Sequence, residues 1–257
     1  MQPMNPSQRL DPDGAIRLLG ALIVLIGVWF AADHFGILVG TYFPGPKSVL
    51  RAVTDIQPSL WIQAISTVAL VIIGFVTGVL IAWFVASLML TSKSVESVTR
   101  PFLALLTGVP PVCYIPFFIL WFGFDPSGKI ILIALNVVLA TVPQMVQVVR
   151  SISPDVLLAW KAAGRSWSDF VFFHALQAIA HALLPTLRFT LGFCMIVAIV
   201  AESMGSVLGL GHIISVALST FSLASVVAVA IFAAVAAWLL DLVLLTVFYL
   251  LVRWRPL

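Results

Sequence analysis

Long apolar runs alternate with short polar connections along this chain, and the runs are too long for an ordinary soluble core. Six segments stay apolar for about the 20 residues that a bilayer-crossing helix needs. They are Ile16–Ala32, Trp61–Leu90, Phe102–Phe122, Lys129–Val149, Leu183–Ala201 and Ser225–Val252. A helix satisfies its own backbone hydrogen bonds in lipid, so continuous runs of this kind predict helices. A membrane β-barrel would show short alternating segments instead. The pattern predicts an all-α, polytopic membrane protein of about six spans, one transmembrane domain over residues 1–257. The first run follows Arg9 and Arg17 and ends at Ala31-Ala32, the shape of a signal peptide. A retained first helix is the expectation, since the other spans need an anchored partner.

Finer patterning refines the spans. In the second, Gly74, Gly78, Ala82 and Ala86 recur every four residues and give one smooth helix face that a neighbour can approach closely. Ala230, Ala233, Ala234 and Ala237 are expected to do the same in the last. The third span holds Gly108, Pro110, Pro111 and Pro116, which remove helical hydrogen bonds and predict a kink. Broken helices in membranes are tolerated where they are buried in protein or line a cavity. A structural kink and a pathway lining are equally good readings here. Pro143, followed by Gln144, repeats the signal more weakly in the fourth span.

Composition agrees, with 62% hydrophobic and 9% charged residues, against the roughly 25% charged of soluble domains. A net charge of +3 need not mean a nucleic-acid partner, because Lys and Arg gather in the cytoplasmic loops of membrane proteins. With both termini inside, the cytoplasmic segments hold Arg9, Arg17, Lys93, Arg100, Arg150, Lys161, Arg165, Arg188, Arg253 and Arg255. The outer segments hold only Lys47, Arg51 and Lys129. That asymmetry predicts N-in, C-in. Cys113 and Cys194 lie in separate apolar runs and read as buried small hydrophobes.

The stretch from Arg150 to His181 is polar enough to leave the membrane and reads as two short helices. Ser153 suits an N-cap, Pro154 the first helical position, and Asp155 the positive end of the helix dipole. Val156, Leu157, Trp160 and Ala163 fall on one face. Gly164 ends the helix, and Ser166 with Asp169 forms a capping-box pattern that opens the next. A rigid capped helix at the membrane face suits protein docking; an amphipathic helix on lipid is the alternative.

The run SPDVLLAWKAAGRSW…LLPTLRFTLG, Ser153 to Gly192, resembles the EAA coupling loop of binding-protein-dependent ABC importer permeases. Leu158-Ala159-Trp160 stand at the Glu-Ala-Ala positions, followed by Gly164 and by Leu184-Pro185. The acidic residue and the second alanine are replaced, by Leu158 and Trp160. FPGPKSVL at Phe43–Leu50, VPPVCYIPFFILWFG at Val109–Gly123 and AESMGSVLGLGHII at Ala201–Ile214 resemble segments of the nitrate/sulfonate/taurine/bicarbonate branch.

The resemblance implies a type I ABC importer (MetI-like) permease fold in a bacterial inner membrane. It implies two permease copies forming the path and two cytoplasmic ABC ATPase subunits binding ATP and Mg, with no cofactor in this chain itself. An extracytoplasmic solute-binding protein would deliver a small anion such as taurine, an alkanesulfonate, nitrate or bicarbonate. Asp155, Leu158, Ala159, Trp160, Lys161, Gly164, Arg165 and Ser166 would meet the ATPase. With Glu and Ala absent from the motif, Leu158 and Trp160 would dock by apolar packing. Pro110, Pro111, Tyr114, Asn136, Gln144, Glu202 and Ser203 are the candidates for the path.

Other chemistry is set aside. The nearest phosphate-loop match, Gly40 to Ser48, has an extra proline before Lys47 and no preceding strand. His34, His174, His181 and His212 show no metal-ligand spacing, and no catalytic grouping emerges. Glu202 lies at the outer end of the fifth span and either shapes a gate, meets the binding protein or is an ordinary interfacial acid. Asp241, in the inner half of the last span, caps or pairs with a neighbouring helix. The rival function is a secondary transporter driven by an ion gradient, which predicts internal repeats not seen here.

Overall fold

The computed structural model describes residues 12–37, 43–56 and 59–252; Arg9, Gly40, Arg253 and Arg255 lie outside them. In chain order the helices are α1 (Pro12–His34), α2 (Pro46–Ile56), α3 (Ser59–Thr91), α4 (Lys93–Thr107), α5 (Ile115–Phe122), α6 (Pro126–Arg150), α7 (Pro154–Ala162), α8 (Trp167–Asp169), α9 (Ala175–Ser203), α10 (Leu210–Ser219) and α11 (Leu223–Leu251). Among the described residues, four unbroken helical segments are long and apolar enough to cross a membrane: α3, α6, the continuous run Trp167–Ser203, and α11. The fifth candidate is α4 with Pro111–Phe122, a pair bent by 93°.

The core is built on α3 against α6, with α9 packed on both. The glycine stripe explains the closeness of the first pair. A Cβ at Gly74 would stand 2.7 Å from Ile133 Cβ, and one at Gly78 would stand 2.6 Å from Val137 Cβ. Ala82 and Ala86 are fully buried on the same face. The expected alanine surface of α11 is only partly realised, because Ala233 is buried while Ala230 and Ala234 are exposed.

The third span is not a straight crossing. Ser92 caps α4, its Oγ accepting from Val95 N, and the helix ends at Thr107. Gly108 and Pro110 break the ladder, and a 3₁₀ turn at Pro111–Tyr114 leads into α5. The Tyr114 hydroxyl donates to Leu106 O at 2.9 Å and staples the bend. Pro116 lies in the first turn of α5, where a missing N–H is harmless. Cys113 at this bend is exposed, contrary to its expected burial, while Cys194 is buried.

The segment after α7 also departs from expectation. The second short helix does not stand alone: α8 passes through a π-turn at Phe170–His174 directly into α9. One extra residue in the turn keeps the helix continuous while rotating its face. Pro185 is carried inside α9 without ending it. The resulting 37-residue helix is about 55 Å long, so it reaches well beyond a bilayer core at the α7 end.

Candidate functional site

At one end of the long helix sits the α7 unit. Ser153 occupies the N-cap without a side-chain hydrogen bond, Pro154 the first turn, and Asp155 the helix's positive end. Gly164 adopts φ +72°, and a Cβ added there would meet nothing within 4 Å, so backbone conformation, and not crowding, selects glycine. The capping box forms: Ser166 Oγ accepts from Asp169 N at 3.0 Å, and Ser166 N donates to Asp169 Oδ2.

Only part of the expected apolar face of α7 packs inward. Leu157 and Trp160 lie against the core, whereas Val156 and Ala163 are exposed. Trp160 itself is half-buried, with part of its ring turned against the core. Its ring packs on His174 and Phe170, at 4.7 and 5.4 Å between centroids, and Arg165 covers it at 5.5 Å. Its Nε1 donates to Ser166 O. Trp167 Nε1 donates to Leu90 O at 3.0 Å, tying the unit to the last turn of α3. What faces outward is Val156, Leu158, Ala159 and Lys161, with Leu158 62% exposed. Nearby, Glu96 bridges Arg150 at 2.7 Å and Arg100 at 3.8 Å, joining α4 to α6.

Between the two ends, α4, α6 and α9 enclose hollow space. An open cleft of about 730 Å³ runs from Arg100, Glu96 and Arg150 up to Thr107 and Gly108. Thr107 also lines a second cavity of about 170 Å³, walled by Pro111, Asn136, Phe189, Thr190 and Phe193. Of the expected path residues, Asn136 and Pro111 meet at this cavity. Pro110 and Tyr114 shape the bend beside it. Gln144 is exposed on α6 without lining either space.

Glu202 and Ser203 lie at the opposite end. Glu202 is 1% exposed, which overturns its reading as an interfacial acid or a contact for another protein. Its carboxylate accepts from Thr67 Oγ1 at 2.8 Å and from Gly211 N at 3.1 Å. Leu210 N donates to Thr67 Oγ1 at 2.8 Å, and Gly209 N donates to Gln63 Oε1. The acid thus sits on the N-terminus of α10, where the dipole favours negative charge. Lys129, expected on an outer loop, is buried and donates to Ser206 Oγ. Ser203 bonds only its own helix, at Val200 O.

Sequence reasoning missed the pairing of Arg188. It donates from Nε to Asp241 Oδ1 at 2.7 Å and from a terminal nitrogen to Oδ2 at 2.6 Å, joining α9 to α11. Charge alone counted Arg188 among the cytoplasmic residues. Both charges standing inside apolar runs was the available signal for a pair. Among the described residues, no group of His, Cys, Asp and Glu could hold a metal ion.

Residues 74–255 match the model of the binding-protein-dependent transport system inner membrane component. The chain belongs to that family. It is an ABC importer permease, multi-pass in the membrane. The permease is 26% identical over 203 residues to the taurine transport system permease protein of Escherichia coli (strain K12), covering 76% of this chain and 74% of the relative. It is 28% identical over 193 residues to a putative aliphatic sulfonates transport permease protein of Bacillus subtilis (strain 168), 74% and 70% covered. A formylaminopyrimidine transport permease protein of Halalkalibacterium halodurans is 24% identical over 173 residues, 66% and 68% covered.

Proposed function

We propose that this permease forms, as a pair of identical copies, the translocation path of an importer for small sulfonate-type anions such as taurine or alkanesulfonates. Nitrate and bicarbonate belong to the same solute class. Two ABC ATPase subunits bind ATP and Mg on the cytoplasmic side, where both termini lie, and dock on α7. A solute-binding protein delivers at the α10 end. The chain works as one transmembrane domain without a cofactor of its own.

The carrying observation is the α7 unit. It is a short helix with an outward apolar edge at Val156 and Leu158, ended by a left-handed Gly164 and fastened by Trp160 and Trp167 to α9 and α3. A push on that edge is transmitted to two spans as a rigid displacement, the requirement for two-state coupling. The sulfonate class is supported by two relatives, a taurine and an aliphatic sulfonates transport permease.

Reconstitution with the cognate ATPase and binding protein tests the reading. Stable co-purification and taurine-stimulated ATP hydrolysis are expected. Uptake driven by an ion gradient with no ATPase present would overturn it. Gly164→Val forces a β-branched residue into a left-handed conformation that costs on the order of 1–3 kcal/mol. It is expected to lower solute-stimulated hydrolysis and uptake together; unchanged uptake in that variant would refute the coupling role.

A further inference from the structure

The cavity at the bend of the broken span carries one hydroxyl without a partner among the described residues and an amide bonded only weakly. Thr190 lines it, is 1% exposed, and its hydroxyl has no partner among the described residues. Buried hydroxyls in native structures are normally bonded, so this one needs a reason. Across the cavity, Asn136 is buried, and its Nδ2 reaches only the Cys194 thiol at 3.6 Å, a weak acceptor. Phe189 and Phe193 supply an apolar wall, and no charged side chain lines the space.

Arg188 precedes Phe189 and is held by two bonds to Asp241. Phe189 lines both the cavity and the open groove over that pair. A fixed cation in a low-dielectric path would hold an anion strongly. Transit instead requires contacts favourable enough for entry and weak enough for release. An amide N–H and a hydroxyl meet that requirement. Thr190 gives up no bond when its hydroxyl rotates to another staggered position.

We propose that Asn136 and Thr190 form a charge-free contact site for the oxyanion headgroup of a small sulfonate, with Phe189 and Phe193 against its carbon chain. The site rests on the sulfonate-importer reading. Its volume of about 170 Å³ is below the roughly 300–1,000 Å³ of sites for drug-sized ligands, so it takes small solutes only.

The test uses the full complex of permease, cognate ATPase and binding protein in proteoliposomes, with taurine, ethanesulfonate and butanesulfonate as probes. Uptake and ATP hydrolysis are measured on the same preparation. Thr190→Val keeps the shape and removes the hydroxyl; Thr190→Ser keeps the hydroxyl. Losing one hydrogen bond to the charged headgroup in transit corresponds to a fall of roughly ten- to a hundredfold. Thr190→Val and Asn136→Leu are each expected to lower uptake per ATP hydrolysed by that factor, with stimulated hydrolysis unchanged and Thr190→Ser near the parent. Asn136→Asp, which sets a carboxylate against the anion, is expected to lose more than Asn136→Leu. Parental uptake per ATP in Thr190→Val and Asn136→Leu would overturn the site. So would a parallel loss of hydrolysis, or failure of Thr190→Val to assemble, since either marks a structural role. A parent complex that hydrolyses ATP with its binding protein but moves none of the three probes would overturn the sulfonate reading, and this site with it.

Discussion

Glu202 shows how much one residue fixes at the α10 end. Its carboxylate, Thr67 and Gln63 together take up the first backbone N–H groups of α10, donors that a helix start otherwise leaves unmet. Glycine is needed at two positions around it. A Cβ at Gly209 would fall on the Glu202 carboxyl group, and one at Gly211 on the Ile199 carbonyl oxygen. Gly209→Ala and Gly211→Ala are therefore both expected to destabilise, the first also because Gly209 holds φ +112° and the second because a backbone carbonyl yields little. Glu202→Ala leaves buried donors unpaired and is expected to cost about 1–3 kcal/mol. Thermal melts of the detergent-solubilised chain check both, and equal melting for all three variants and the parent would contradict the network. The AESMGSVLGLGHII run was legible as a motif, but not its cause. A carboxylate beside glycines reads as surface chemistry until the chain brings α10 back over it.

At the scale of elements, periodicity was the reliable signal. The four-residue spacing of Gly74, Gly78, Ala82 and Ala86 names the α3 face that meets α6, and the structure puts it there. Gly78→Leu would drive a side chain into Val137 and Ala134, overpacking that typically costs about 1–3 kcal/mol or more. A large drop in the yield of folded chain is expected on expression trials, whereas Gly192→Leu, with nothing within 4 Å, is expected to leave yield unchanged. Break strength was less legible. The prolines at 110 and 111 announced a kink, but the 93° bend depends on Gly108 before them and the Tyr114 staple after them. The Arg188–Asp241 pair depends on two helices whose adjacency no local pattern states. Removing either charge leaves the other without the partner it holds across the two helices. Arg188→Met and Asp241→Leu are each expected to lower stability more than the two together, a double-mutant cycle read by thermal melts.

Across the whole molecule, the hollow side of α4, α6 and α9 connects an end held by Glu96, Arg100 and Arg150 with the uncharged cavity at the bend. The α7 unit is attached beside the charged end, on the extension of α9 beyond a bilayer's thickness. On the proposed reading, energy enters at one end and the solute at the other, with the small cavity between them. Charge asymmetry is the basis for the proposed sidedness. Motif spacing marked the segment proposed here to couple, even with Leu158 at the acidic position. The inward turn of Trp160 was not legible, because its partners Phe170 and His174 are brought under it only by the π-turn. Val156 and Leu158 are left as the exposed apolar edge proposed to meet the ATPase. Site-specific crosslinking in the assembled complex tests that most directly. A Leu158→Cys permease is expected to crosslink to the ATPase subunit, and to do so to a different extent with and without ATP. Val207→Cys, exposed at the α10 end, is expected to give no such product. A complex that hydrolyses ATP in response to solute, yet yields no Leu158→Cys crosslink in either nucleotide state, would contradict the account.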